Sequence, residues 1–125
     1  MRQLHAIIIE DEADVATIFS EALKTGGFTT EVIYDGAEAM ARLDDLTPDI
    51  IILDLHLPNV GGREILTRIR AIPKLAKTQI LVTTADSQLA EMVEPEADLV
   101  LLKPISFLQL QTLAQRLATQ VRGEQ

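Results

Sequence analysis

Short runs of hydrophobic residues recur along the chain, and amphipathic stretches separate them. Four such runs, at 4–9, 50–53, 80–83 and 99–102, consist largely of Ile, Leu, Val and Ala. Runs of this length are typical of strands buried on both faces of a parallel sheet. Residues 28–34 instead mix Thr and Glu with hydrophobic residues, which indicates a strand at the sheet edge. The pattern therefore predicts five strands.

The stretches between the first strands have the spacing of helices. Residues 11–26 repeat hydrophobic positions at i, i+3, i+4 and i+7, which predicts one buried stripe. That stripe consists of Val15, Ile18, Phe19, Ala22 and Leu23. A Gly-Gly pair ends this helix. A second, Ala-rich helix is predicted over 37–43, and a third begins at 62 or 63 and ends before Pro73.

The last two predicted helices differ in length. Pro95 confines the fourth to a short segment near 89–93, because proline interrupts a helix. Ser106 is a typical N-cap for the fifth helix, which we extend to residue 121. Its predicted buried face consists of Phe107, Leu110, Leu113, Ala114, Leu117 and Val121. Five strands alternating with five helices predict an α/β fold with a doubly wound parallel sheet.

The composition fits one domain with an aliphatic core. The chain has 125 residues, of which 47% are hydrophobic and only 3% aromatic. This length is common for a single domain. We predict that residues 1–121 form that domain and that 122–125 are a frayed C-terminus.

Charge and cysteine usage narrow the possible functions. The formal net charge is −8, with 19 acidic and 11 basic residues, whereas a nucleic-acid surface needs clustered Lys and Arg. This charge allows a cation site and basic protein partners. There is no cysteine for a disulfide or a thiolate metal site. The hydrophobic runs are too short to span a membrane, and we expect a cytoplasmic protein with no membrane or direct nucleic-acid contact.

Polar side chains stand at the ends of four predicted strands. Glu10 and Asp11 follow the first strand, Asp54 the third, Thr84 the fourth and Lys103 the fifth. The carboxyl ends of parallel strands share one edge of the sheet, so these side chains are expected to converge there. Three carboxylates in a partly desolvated site repel one another and favour a bound cation, and oxygen donors suit Mg²⁺. The ammonium and the hydroxyl suit phosphoryl oxygens, so this arrangement favours placing a phosphoryl group on a carboxylate.

Each of these residues also has an ordinary structural explanation. Glu10 and Asp11 are favourable at a helix N-terminus whether or not a metal binds. Asp54 is a common residue in the turn after a strand, and Lys103 could extend along the sheet edge into solvent. Thr84 could be an ordinary hydroxyl at a strand end. Their joint placement at successive strand ends favours the functional interpretation, most of all for Asp54.

Other sites are less compatible with the sequence. A flavodoxin-like cofactor site would need a Ser/Thr/Gly phosphate loop after the first strand, where Glu-Asp-Glu would repel phosphate. A P-loop enzyme would need a glycine-rich loop ending in Gly-Lys-Ser/Thr, and the chain has none. His5 and His56 are far apart in sequence and do not form a zinc motif, so we expect ordinary roles for both rings.

Taken together, the strand-end motifs resemble a response-regulator receiver domain, the phosphoacceptor part of a two-component system. The matching pieces are Ile-Ile-Ile-Glu-Asp-Glu at 7–12, Asp-Leu-His-Leu-Pro at 54–58, Gly62, Thr84-Ala85, Ala97-Asp98 and Lys103-Pro104. The resemblance covers essentially the whole chain and is closest to single-domain, chemotaxis-regulator-like receivers. It implies a flavodoxin-like three-layer sandwich with strand order 2-1-3-4-5.

The resemblance also implies roles for the acidic residues. Asp54 corresponds to the aspartate that accepts the phosphoryl group. Glu10, Asp11, Asp54 and the backbone carbonyl of His56 correspond to the Mg²⁺ site, with Glu10 expected to act through water. Glutamate in the first position of the acidic pair is a familiar variant.

The remaining matches concern the phosphoryl group itself. Thr84 corresponds to the hydroxyl that senses the phosphoryl group, and Lys103 corresponds to the family's lysine. Ala85 leaves room for the phosphoryl oxygens. The peptide bond before Pro104 matches one that is cis in the family.

Two features depart from the family pattern. The position three residues before Lys103 usually holds Tyr or Phe, whose ring moves on phosphorylation, and here it is Val100. The interval between Thr84 and Val100 is also short and contains Pro95, which predicts a stunted fourth helix. Both departures affect the expected signal relay and leave the phosphorylation site intact.

The implied partners follow from the resemblance. They are a sensor histidine kinase or phosphotransfer protein as donor, and a downstream protein or effector domain as target. A homodimer through residues 86–121 is possible. The alternative is a receiver-like docking module that works without phosphorylation. The chain is either free-standing or a fragment of a longer protein.

Overall fold

The computed structural model describes residues 2–123, in which five parallel strands alternate with five helices. The elements are β1 (Leu4–Ile9), α1 (Ala13–Thr25), β2 (Phe28–Ile33), α2 (Gly36–Arg42), β3 (Ile50–Asp54), α3 (Gly62–Ala71), β4 (Gln79–Thr84), α4 (Ser87–Val93), β5 (Leu99–Leu102) and α5 (Phe107–Gly123). The sheet order is β2-β1-β3-β4-β5, and every neighbouring pair is parallel. The predicted fold class and strand order are confirmed.

The strands supply two hydrophobic cores, because successive side chains point to opposite faces of the sheet. One core lies under α1 and α5 and includes Ala6, Ile8, Ile52, Phe19 and Leu117. The other lies under α2 and α3 and includes Ile7, Ile9, Ile51, Leu43 and Leu66. The result is a three-layer sandwich with helices on both faces of the sheet.

Burial along the strands matches their positions in the sheet. All five residues of β3 are buried, as expected for the central strand. The edge strand β2 is buried only at its two ends, Phe28 and Ile33, and its four inner residues are partly or fully exposed. The other edge strand, β5, leaves Leu99 and Leu102 exposed. The continuous hydrophobic run of β3 therefore places its last residue, Asp54, at the centre of the carboxyl edge.

Two predicted core positions are wrong. Ile18 is 43% exposed, because it lies at the edge of the α1 contact face beside Pro104 and Ile105. Phe107 is 42% exposed, because the first turn of α5 extends past the core and Leu110 is its first buried residue. In both helices the period was predicted correctly, but the limits of the covered face were not.

Helix ends differ from the predictions by a few residues. Gly27, with a φ of 94°, supplies the left-handed residue after α1. The fifth helix continues to Gly123, two residues beyond the predicted end, and residues 124 and 125 of the predicted frayed terminus lie outside the described residues.

The fourth helix is short, as predicted. It contains seven residues and passes directly into a 3-10 turn, Glu94–Glu96, that includes Pro95. Asp86 caps its start by accepting hydrogen bonds from the backbone N–H groups of Gln88 and Leu89. Across residues 2–123, no helix has the length and hydrophobicity needed to cross a membrane.

Candidate functional site

Three acidic side chains meet at the carboxyl edge of the sheet. β1 and β3 pair in register from Ala6 to Ile9, so Glu10 and Asp11 leave the sheet beside Asp54. Carboxylate oxygens of Glu10, Asp11 and Asp54 all lie within 4.8 Å of one another. Their convergence, expected from the parallel topology, is present in the structure.

Lys103 reaches this cluster from the last strand. Its Nζ lies 2.9 Å from Oε1 of Glu10 and 3.5 Å from Oδ1 of Asp54. The backbone N–H of Lys103 donates to the carbonyl of Thr84 at 2.8 Å, which anchors the end of β5 to β4. The peptide bond between Lys103 and Pro104 is cis, as the resemblance implied. The ammonium thus bridges the first and third strands of the chain.

Burial changes the pKa values of charged groups in this site. Glu10 is fully buried and Asp54 is only 2% exposed. Burial raises the pKa of Glu10 to about 7, opposed by the hydrogen bond from Lys103 and reinforced by the charge of Asp54. Burial alone would lower the pKa of Lys103, but its hydrogen bond to Glu10 and the charge of Asp54 raise it. Lys103 therefore stays charged, and its ammonium faces three carboxyl groups, of which Glu10 is the one most readily protonated.

The loop after β3 is held close to Asp54. The backbone N–H of His56 donates to Oδ1 of Asp54 at 3.1 Å. Asn59 adopts a φ of 70°, and its side-chain amide donates to Oδ1 of Asp35 at 3.1 Å. The backbone N–H of Gly62 then donates to the carbonyl of Leu55 at 3.3 Å. These bonds fold the loop back onto the end of β3 and fix the Asp54 carboxylate from one side.

Thr84 lies beside this loop and is fully buried. Its Oγ1 accepts a hydrogen bond from the backbone N–H of Asp86 at 3.0 Å and lies 2.8 Å from Nε2 of His56. This contact differs from the ordinary role expected for the His56 ring from the sequence. The strand register contains the signal, because Asp54 pairs with Thr83 and the residues that follow are therefore neighbours.

The position of the missing aromatic ring is occupied by a half-buried valine. Val100 pairs with Val82 in the sheet and packs against the core under α2 and α3. A groove of about 510 Å³ between α4 and β5 is lined by Val100, Ala90 and Leu102, among others. Both departures noted in the sequence, the valine and the short α4, are thus features of one face of the molecule.

The sequence of this chain is similar to those of known response regulators. Residues 6–115 match the family model of the response regulator receiver domain. The phosphate regulon transcriptional regulatory protein PhoB of Rhizobium meliloti is 31% identical over 120 residues, which are 94% of this chain and 53% of that protein. The sensory transduction protein RegX3 of Mycobacterium tuberculosis is 35% identical over 106 residues, covering 83% and 46% of the two chains. The chain therefore spans about half the length of these curated relatives.

Solved structures agree on the fold. The chemotaxis response regulator CheY4 of Vibrio cholerae superposes with a TM-score of 0.82 at 24% identity, covering 93% of this chain and 99% of that one. The receiver domain of the sensor histidine kinase PA1611 from Pseudomonas aeruginosa gives a TM-score of 0.80 at 22% identity, covering 94% and 98%. That structure has a magnesium ion coordinated in its active-site cleft. By its matched sequence and its architecture, the chain belongs to the family of response regulator receiver domains.

Proposed function

We propose that this chain accepts a phosphoryl group on Asp54 and passes on the signal through altered protein contacts. The observation that supports this most is the placement of one nearly buried carboxylate between an ammonium at 3.5 Å and two further carboxylates. Receiver domains are signalling domains, and the action proposed here is confined to the chain's own phosphorylation and dephosphorylation.

The donor set fits a hard divalent cation. Carboxylate oxygens within 4.8 Å of one another are the ligands that Mg²⁺ prefers, and Lys103 alone leaves their charge uncompensated. We assign Asp11, Asp54 and the backbone carbonyl of His56 as direct ligands, and Glu10 as a ligand through water. When bound, Mg²⁺ would neutralise negative charge on the phosphoryl oxygens and the carboxylates. The exposed position of Asp11 leaves that side of the cluster accessible to the ion.

The proposed chemistry is a direct transfer. An oxygen of Asp54 forms the new bond to phosphorus while the bond to the donor breaks, either P–N in a phosphohistidine or P–O in a small acyl phosphate. The backbone N–H of His56 holds the Asp54 carboxylate in place by donating a hydrogen bond to its Oδ1. Lys103 provides positive charge for a phosphoryl oxygen, and the hydroxyl of Thr84 is the proposed donor to another.

The proposed partners are those of the family. A sensor histidine kinase or phosphotransfer protein is the donor, and a downstream protein or an effector domain reads the phosphorylated state. We place this exchange in the cytoplasm. A homodimer through residues 86–121 is a further proposal, supported by the exposure of Met92, Leu99 and Leu102 on that face.

Phosphorylation of Asp54 is tested with a small acyl phosphate and Mg²⁺, followed by intact-protein mass spectrometry. The wild-type chain should gain the mass of one phosphoryl group, and Asp54→Asn should not. Asp45→Asn is the matched control, because that carboxylate is exposed between α2 and β3 and should leave labelling intact. Undiminished labelling of Asp54→Asn would contradict the assignment and favour the docking module that works without phosphorylation.

We further propose that α4, β5 and α5 form the output face, the surface that passes on the signal. Hydrogen exchange with and without beryllofluoride, a phosphoryl mimic, tests this. Residues 84–103 should change protection when the mimic binds, since Thr84 lies at the start of this segment. If only residues 36–46 respond, the output face has been misplaced.

A further inference from the structure

The side chain of His56 makes a contact that its family role does not require. Only the backbone of residue 56 is assigned to the metal site, yet Nε2 of the ring lies 2.8 Å from Oγ1 of Thr84. The two residues are 28 positions apart and meet because β3 and β4 are paired up to Asp54 and Thr83. The ring is thus bonded to the hydroxyl proposed to recognise the phosphoryl group.

The direction of the bond between Thr84 and His56 follows from the hydrogen-bonding capacity of a hydroxyl. A threonine hydroxyl has one proton to donate and two lone pairs to accept. The backbone N–H of Asp86 uses one lone pair of Thr84 at 3.0 Å. Thr84 is fully buried, and within residues 2–123 the remaining hydrogen-bond partner of its hydroxyl is Nε2 of His56. A buried hydroxyl is costly to leave without an acceptor, so its proton is assigned to Nε2, with the imidazole proton on Nδ1.

This direction places the ring in competition with a phosphoryl group. Thr84 has a single proton, so it cannot donate to Nε2 and to a phosphoryl oxygen on Asp54 at once. His56 is also tied to the acceptor itself, because its backbone N–H donates to Oδ1 of Asp54 at 3.1 Å. One residue therefore contacts both the group that would be modified and the group that would sense the modification.

The contact between His56 and Thr84 matters more in this chain because Val100 occupies the position where the family pattern has an aromatic ring. A valine has no ring to rotate, and its branched side chain has little rotational freedom. His56 is exposed on the loop after β3 and belongs to neither hydrophobic core. The exposed ring of His56, and not the side chain of Val100, is therefore the candidate for a side chain that moves.

We propose that the His56 side chain is a latch, a positioning residue that holds the Thr84 hydroxyl in the unphosphorylated chain and releases it when Asp54 carries a phosphoryl group. The latch rests on the proposed phosphoacceptor function. It predicts that the resting state is favoured by the His56–Thr84 bond and that removing the ring shifts the balance toward the phosphorylated arrangement.

The first test is the affinity for beryllofluoride at saturating Mg²⁺, followed by fluorine NMR. His56→Ala should bind the mimic about threefold to tenfold more tightly, the range expected from removing one competing hydrogen bond. His5→Ala is the matched control, because Nδ1 of His5 also lies 2.8 Å from a threonine hydroxyl, that of Thr29, at the opposite end of the strands. Its affinity should equal that of the wild type.

A double-mutant cycle separates the latch from a general effect on the loop. In a Thr84→Ala background, His56→Ala should have no further effect on beryllofluoride affinity. In the metal-free wild-type protein, ring ¹⁵N shifts should show His56 protonated on Nδ1, and addition of Mg²⁺ and beryllofluoride should move the Nε2 signal. An equal effect of His56→Ala with and without Thr84, or an affinity no tighter than wild type, would overturn the latch.

The same titration distinguishes the two proposals. If the wild type binds beryllofluoride and Asp54→Asn does not, the phosphoacceptor function stands whatever His56→Ala shows. If the wild type does not bind, or Asp54→Asn binds equally well, both the phosphoacceptor function and the latch are wrong.

Discussion

Gly62 provides a direct test of how the loop after β3 supports Asp54. It is the first residue of α3 and packs directly onto the backbone at the end of β3. A Cβ at this position would lie 2.5 Å from Cα of Leu55 and 2.7 Å from the carbonyl oxygen of Asp54. Ordinary contacts begin near 3.4 Å, and both neighbours are backbone atoms that cannot rotate away. Gly62→Ala therefore requires a shift of the backbone that holds Asp54.

The size of the effect follows from two opposing contributions. Forcing a methyl group against fixed backbone in a packed interior costs about 3 kcal/mol. Replacing glycine by alanine inside a helix recovers somewhat less than about 1 kcal/mol. The net loss for Gly62→Ala is then about 2 kcal/mol of unfolding free energy, which lowers the melting temperature of a chain this long by about 8 °C.

The neighbouring glycine provides the control. A Cβ at Gly61 would meet nothing within 4 Å, and its φ of −69° suits any residue. Gly61→Ala loses a favourable N-cap glycine but also restricts the unfolded chain, so its melting temperature should stay within about 2 °C of wild type. Thermal unfolding followed by circular dichroism compares the two variants, and beryllofluoride binding should weaken only in Gly62→Ala. If both variants have the same melting temperature, the close packing of Gly62 on β3 does not constrain the site.

Three further outcomes are expected. Mg²⁺ at ten times its dissociation constant should stabilise the wild type by about 1.4 kcal/mol. Asp11→Ala should lose most of that stabilisation and should melt at a higher temperature than the wild type without metal, which a Mg²⁺ titration of the melting temperature will show. Burial alone would raise the pKa of Asp49, but hydrogen bonds from the Arg2 side chain and the backbone N–H of His5 lower it. Its stabilisation is therefore present above the ordinary aspartate pKa and lost as pH falls through the lowered value, so Asp49→Asn should melt about 3 °C lower at pH 7 and equal the wild type in strong acid. Ser106→Ala should cost about 1 kcal/mol in chemical denaturation, because Ser106 caps α5 through a reciprocal pair of hydrogen bonds with Gln109, and an unchanged midpoint would contradict this role.

The fold was largely predictable because its strands are continuous hydrophobic runs. β1 and β5 have the predicted bounds, and α3 begins at Gly62 and ends before Pro73 as predicted. Helical period alone does not show where a neighbouring element ends. Ile18 and Phe107 fit their stripes and are nevertheless exposed, because coverage depends on tertiary packing that the sequence does not reveal.

The sequence was enough to predict which residues form the candidate site, but not the hydrogen bonds and ion pairs among them. Parallel topology was enough to bring Glu10, Asp11 and Asp54 together. The sequence did not show that Lys103 lies closer to Glu10 than to Asp54, because that choice depends on strand stagger and side-chain reach. The contact between His56 and Thr84 required the register of β3 and β4, which hydrophobic runs leave undetermined.

The ion pair between Glu10 and Lys103 determines at which stage of folding the site is completed. Its partners are 93 residues apart, and two other strands lie between β1 and β5 in the sheet. Such a contact forms only after the intervening chain has been ordered, so it belongs to the last stages of assembly. A nascent chain that has not yet added β5 has all three carboxylates but no ammonium to balance them. The complete charge arrangement of the candidate site is therefore present only in a molecule whose final strand has already docked.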